Sequence, residues 1–208
     1  MPHTLESPAR LSRTEFDAPV SEPGDYRPFD NVESRNGLQE RVELPFMLRA
    51  LRLPHGGRVL EVGCGRGVAL PVLATRLAPD ELVGIDLEEA LVERARTRIA
   101  RRGVRAALHV GDLRDLPFQS GQFDLVVDFG TSYHVGGGHT GRLTALNEIS
   151  RVLRVGGLFV HETPLAQRLA HPVRSLRVRL PFSAVPMLAP ERSAVLWAAR
   201  KRIGPVLA

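Results

Sequence analysis

Cysteine, lysine and large aromatic residues are scarce in this chain of 208 residues, and each scarcity removes a class of function. A single cysteine, Cys64, has no partner within the chain, so a disulfide scaffold is excluded and a reducing, cytoplasmic setting is expected. Long apolar runs are missing as well. No stretch approaches the ~20 residues of a membrane-spanning helix, and the first thirty residues hold no apolar signal core, so neither secretion nor membrane insertion is expected. Lys201 is the only lysine, which leaves no lysine for a phosphate-binding Walker loop or a tyrosine-lysine dehydrogenase pair. Phosphoryl transfer and simple hydride transfer are therefore poor readings. Two tyrosines and one tryptophan offer few platforms for stacking bases, which argues against nucleic acid as a partner. No Cys/His cluster has ligand spacing, and no metal is expected.

What is present is the composition of an ordinary globular domain, 43% hydrophobic and 25% charged, in a chain long enough to bury a core. The net charge of +5 is unevenly placed: residues 164–208 carry eight basic side chains and one acid, whereas the remainder carries 20 basic and 22 acidic residues. Three readings of this arginine-rich tail stand: solvated charge, a pocket for an anionic substrate, and nucleic acid, in that order. Five prolines among the first thirty residues mark residues 1–33 as a mobile arm, either a lid or a passive tail. Residues 34–208 form the single folded domain.

Within that domain, Leu38, Val42, Phe46 and Ala50 recur every four residues and predict a helix over 34–52, kinked or divided at Pro45. Beyond it, strands and helices alternate. Strands are expected at 58–62, 82–86, 107–112, 123–129 and 156–163, with helices at 68–78, at 87–102 ending in Gly103, and at 141–154. The repeat Leu87, Leu91, Ala95 and Ile99 is the expected inner face of the second of these. Residues 174–182 fit a strand with one wet face, although their spacing fits a helix nearly as well, and 193–201 read as a last strand. Such alternation predicts a doubly wound α/β fold, a mostly parallel sheet of about seven strands with helices on both faces.

The segment VLEVGCGRG, Val59 to Gly67, is the strongest chemical signal. A strand runs into Gly63, Gly65 and Gly67, and a helix follows; glycines let backbone approach a ligand and take positive φ in so tight a turn. Asp86 ends the next strand, where a carboxylate can accept hydrogen bonds from both hydroxyls of a ribose. The third glycine comes one residue earlier than in the G-x-G-x-x-G of dinucleotide sites. With GIDL, GDLRDLPF and FDLVVDF plus EISRVLRVGG in order behind it, the chain resembles the class I S-adenosylmethionine-dependent methyltransferases, of the small type labelled methyltransferase type 11. The resemblance spans about Arg58 to Glu162.

That resemblance implies S-adenosylmethionine as cofactor and carries its contacts onto this sequence. Glu61, Gly63, Gly65 and Gly67 would wrap the methionine end, Asp86 would take the ribose, and Leu87 would flank the adenine. Asp112 would face the adenine amino group, with Leu113 as a backbone contact to the ring. Asp128 stands where small polar residues are common in the family, which implies an altered grip on the methionine end. Tyr133 replaces the first of a frequent histidine pair, and Val155 a usual proline. His134, just past a strand end, is the candidate general base, with an unperturbed pKa of ~6.5 suited to the task; a histidine packed under the loop is the competing reading. His139 reads as an exposed loop residue, His161 and Glu162 as cleft residues with structural roles, and Cys64 as a small filler. The function implied is methyl transfer to oxygen, nitrogen or carbon of a small molecule, with a non-methylating cofactor binder of the same fold as the alternative.

Overall fold

The computed structural model describes residues 31–162, 182–184 and 196–201. The expected arm at 1–33 and the strand at 174–182 fall almost entirely outside the described residues, as do the tail arginines apart from Arg200.

Five parallel strands make the centre: β1 (Arg58–Val62), β2 (Glu81–Asp86), β3 (Ala107–Val110), β4 (Phe123–Asp128) and β5 (Leu153–Glu162). β7 (Leu196–Lys201) pairs antiparallel with β5, and β6 (Phe182–Ala184) antiparallel with β7, giving a seven-stranded sheet in the order β3-β2-β1-β4-β5-β7-β6. The doubly wound α/β expectation therefore holds. Strands β1, β2 and β4 are short runs of Val, Leu and Ile because both of their faces are covered. One face packs Val59, Leu82, Leu125 and Val127 under Leu70, Leu73, Val92 and Ala95; the other packs Leu60, Ile85, Val126 and Phe159 under Leu146 and Ile149. Each such side chain contributes roughly 1.5–3 kcal/mol by leaving water.

The covering helices are α3 (Leu70–Leu77), α4 (Glu89–Arg101) and α5 (Gly138–Val152). Pro71 is tolerated because it sits in the first turn of α3, where its missing N–H has no partner to lose. In α4 the buried face is Val92, Ala95 and Ile99, while Leu87 lies before the helix and is 63% exposed. Gly103 (φ +64) closes the helix as expected, with Val104 N–H donating to the Ile99 carbonyl.

The expected helix over 34–52 is three pieces: α1 (Val32–Leu38), a π-helical turn (Gln39–Glu43) and α2 (Leu44–Leu51). The wide turn sits just before Pro45, and Leu44 N–H donates to the Gln39 carbonyl five residues back. Its apolar stripe does not face the core. Leu38, Val42 and Phe46 are 43, 57 and 70% exposed, whereas Asn36 and Gln39 are buried, followed by Leu44, Met47 and Leu48. The π turn shifts the inward face, so a constant four-residue spacing misassigns it.

Candidate functional site

In the order 2-1-4, the chain leaves β1 toward one side and enters β4 on the other, and the crevice at this switch lies beyond the carboxyl ends of β1 and β4. The turn after β1 and the turn after β4 meet there. Gly63 (φ +66), Gly65 (φ +50) and Gly67 (φ +70) all take left-handed backbone. A Cβ on Gly63 would lie 1.9 Å from Thr131 Oγ1, and one on Gly67 would lie 2.9 Å from Ala95 Cβ in α4, whereas at Gly65 nothing stands within 4 Å. Two of the glycines thus permit close packing, and Gly65 borders open space. Gly63 and Gly65 line a cavity of about 120 Å³ together with Glu61, Phe129 and, from the first helical segment, Arg35, Asn36 and Gln39.

The acids around this loop differ in what occupies them. Asp86, at the end of β2, accepts from Gly65 N–H through Oδ2 (2.8 Å) and from Glu88 N–H through Oδ1 (3.0 Å), which fixes the carboxylate and leaves each oxygen a further lone pair. Glu61 is 3% exposed and its Oε2 has no hydrogen-bond partner. Burial, with Asp86 and Asp128 adding negative charge, pushes its carboxyl well above the usual range. Asp112 is gripped by Arg114 through the backbone N–H (2.8 Å), Nε (2.9 Å) and Nη2 (2.5 Å), and this guanidinium holds its carboxyl below the usual range. Leu113 beside it is buried, and Leu87 next to Asp86 is exposed.

Asp128 is fully buried and turned inward. It accepts from Thr131 N–H (2.7 Å) and Ser132 N–H (3.4 Å), and its Oδ2 lies 2.9 Å from His161 Nδ1. Burial alone would raise this carboxyl, yet His161 and these donors keep it below the usual range. An ionised carboxylate only accepts, so His161 Nδ1 carries the proton between them. The carboxylate thereby fixes the 3-10 turn Thr131–Tyr133, whose Thr131 Oγ1 donates to the Gly63 carbonyl (3.2 Å). His134 follows this turn, exposed, with its N–H on the Thr131 carbonyl (2.8 Å). His139 is exposed in the first turn of α5. Cys64 is buried, and burial first, then Glu61, pushes its thiol far up, as suits an inert filler.

A larger cavity of about 760 Å³ is lined by Arg58, Glu81, Gln119 and Gln122, at the strand starts and thus the edge opposite this crevice. Among the described residues no cluster of His, Cys, Asp and Glu could hold a metal ion, and no helix is long and apolar enough to cross a membrane.

The sequence profile of the methyltransferase domain matches residues 59–157, the span from β1 to the turn within β5. This segment is a class I S-adenosylmethionine-dependent methyltransferase domain. The chain is 34% identical over 116 residues to a probable S-adenosylmethionine-dependent methyltransferase of Mycolicibacterium smegmatis, covering 54% of this chain and 41% of that one. It is 36% identical over 107 residues to a fatty-acid O-methyltransferase of the same organism, covering 51% and 37%. The chain spans less than half the length of either relative. Among solved structures, a putative S-adenosyl-L-methionine-dependent methyltransferase of Methanococcus maripaludis shares the fold at 14% identity, with a TM-score of 0.60 over 84% of this chain and 94% of that one.

The methyltransferase fold brings Glu61, Gly63, Gly65 and Asp86 to one crevice and hides Gly67 beneath α4. The crevice fits the family's cofactor chemically: a buried carboxyl with one unpartnered oxygen for a cation, an anchored carboxylate for hydroxyls, and a glycine with room in front of it. Sequence reasoning missed Asn36 and Gln39. Their only signal was polarity at positions where a helix turns inward, and the apolar stripe opposite concealed it.

Proposed function

We propose that this chain binds S-adenosylmethionine across the Gly63–Gly67 turn and Asp86 and directs methyl transfer to a small-molecule acceptor at oxygen, nitrogen or carbon. The observation that carries the reading is Asp86, locked onto Gly65 N–H at 2.8 Å near Glu61, whose buried Oε2 has no partner. S-adenosylmethionine supplies a methyl group made electrophilic by its sulfonium centre. This chain's part is to hold and orient. Asp86 would accept from the ribose hydroxyls, and Glu61 and the glycine turn would hold the methionine end. Asp112, already fixed by Arg114, and the backbone at Leu113 would bound the adenine, with Leu87 covering it.

Holding an acceptor in line with the methyl group lowers the barrier by as much as ~7–11 kcal/mol through orientation alone. For a hydroxyl acceptor, His134 would take the proton. A fatty-acid O-methyltransferase among the relatives supports a small acceptor, and the arginine-rich tail supports an anionic one. Transfer of label from methyl-labelled cofactor into fatty acids, phenols or amines tests the reading. Tight cofactor binding with no incorporation into any of them would favour the non-methylating binder.

A further inference from the structure

Seven large apolar side chains stand exposed among the described residues, and three of them, Leu38, Val42 and Phe46, share the helical run from α1 through the π turn to α2. Scattered singly they would call for no explanation; gathered on one run they form a patch. Positions four apart drift by about 40° per step around an α-helix, and the wider turn at Gln39–Glu43 offsets that drift and keeps the three in line. Charge is sorted around this row. Arg41 lies three residues beyond Leu38 and Arg49 three beyond Phe46, spacings that set each beside the row, and Arg52 caps the end of the run. All three arginines are exposed and make no ion pair among the described residues. The acids of the run are spent elsewhere: Glu33 pairs with Arg66 (3.3 Å) and Arg98 (3.2 Å), Glu40 pairs with Arg98 (2.9 Å) and Arg102 (2.7 Å), and Glu43 is half-buried. The outward face is therefore apolar along its middle and cationic along its flank.

We propose that this face docks on an anionic lipid bilayer, with Leu38, Val42 and Phe46 entering the boundary between headgroups and acyl chains and Arg41, Arg49 and Arg52 meeting the lipid phosphates. The run lies on the membrane and does not cross it, since no described helix is long and apolar enough to span. Long arginine stems let the apolar row sink while the guanidinium groups stay at phosphate level. A second copy of the chain fits this face less well. Two-fold pairing would set the same arginines against each other, and three apolar side chains fall short of the roughly 20–30 residues a side that a stable protein interface uses. A lipid surface asks for no such area, and its phosphates complement the charge. One helical run would then stand between the lipid and the crevice, whose wall it supplies through Asn36 and Gln39.

Cosedimentation of the full chain tests this with two kinds of vesicle, one of phosphatidylcholine alone and one of equal parts phosphatidylcholine and phosphatidylglycerol. The wild type should bind the anionic vesicles and bind the neutral ones far more weakly. Replacing Arg41→Gln and Arg49→Gln together should weaken binding to the anionic vesicles by roughly fivefold per arginine. Phe46→Ser, which changes no charge, should weaken it about tenfold. Both changes fall on exposed side chains, so the melting point should stay that of the wild type. Phe46→Trp should retain binding, and brominated lipid should quench the emission it adds to that of Trp197, the chain's only tryptophan. A wild type that leaves anionic vesicles unbound would overturn the proposal, as would added emission that brominated lipid leaves unquenched. Full binding by Phe46→Ser would also overturn it, assigning the attraction to the arginines of residues 164–208. A dimer in sedimentation velocity that Phe46→Ser splits would overturn it in favour of a second copy on this face.

Discussion

Glu61 sits where its own charge is disfavoured. Burial is the first cause, followed by the neighbouring carboxylates Asp86 and Asp128, and the raised thiol of Cys64 reflects the same crowding. Arg35 and Arg66 also line the cavity, and His161 Nδ1 lies against Asp128. A carboxyl raised on folding stabilises the folded chain below its unfolded value, and that contribution is lost as pH rises through the folded value. Without ligand, stability should therefore decline above pH ~4.5 by a component that Glu61→Gln removes, as melting curves across pH would show. Binding should run the opposite way: an ammonium requires the carboxylate, so S-adenosylhomocysteine affinity should rise with pH and release a proton, visible in buffers of different ionisation enthalpy. A pH-independent affinity in both proteins would take Glu61 out of ligand binding. The glycines divide just as sharply. Gly63→Ala would drive a Cβ into Thr131, separating the two turns of the crevice, and should abolish cofactor binding and lower the melting point. Gly65→Ala meets nothing and adds only the ~1–2 kcal/mol of a left-handed residue, so its fold should survive.

Among the elements, α1 with its π turn is legible as helix, but the face it buries is not. Strands β1, β2 and β4 are legible because burial on both faces leaves unbroken apolar runs, and the glycine turn and Asp86 are legible because both sit where such runs stop. The helix fails the same rule for a physical reason. Its inward face meets a polar cavity rather than the core, so Leu38, Val42 and Phe46 report the solvent side, and the π turn moves the face again before Leu44 and Met47. In α4 the four-residue repeat is offset at its start, Leu87 preceding the helix. What holds α1 is charge, concentrated in Arg98 of α4. Its guanidinium reaches Glu40 (2.9 Å), Glu33 (3.2 Å) and the Arg66 carbonyl (3.1 Å), and it is largely buried, so water screens it less than a surface pair. Arg98→Ala should weaken S-adenosylhomocysteine binding severalfold by loosening the wall that carries Asn36, with a difference that shrinks at high salt. Arg98→Lys should not restore it, since an ammonium lacks the planar fork that serves three acceptors. Wild-type affinity and salt dependence in Arg98→Ala would mean that packing alone places the helix.

At the scale of the molecule, one crevice draws on α1, the ends of β1 and β2, and the turn after β4, so a ligand there ties together parts distant in sequence. Ligand at a hundred times its Kd should add ~2.7 kcal/mol of stability, and melting points with and without S-adenosylhomocysteine measure this. The Asp128–His161 pair does the complementary task from inside the sheet. It joins β4 to β5 and clamps the 3-10 turn that His134 follows, while the His134 residue itself stays exposed. That separation lets catalysis be divided from structure. If His134 removes a proton from a hydroxyl acceptor, His134→Ala should lower kcat by ~10²–10⁴ and abolish the acid limb of the pH–rate profile, with cofactor affinity and melting point unchanged. Asp128→Asn should instead lower the melting point and cofactor affinity together, because the turn that touches Gly63 loses its anchor. A His134→Ala enzyme with normal rate and pH profile would leave orientation and water exclusion as the catalytic effects. The acceptor would then be one whose nucleophilic atom carries no proton that must leave before the methyl group arrives.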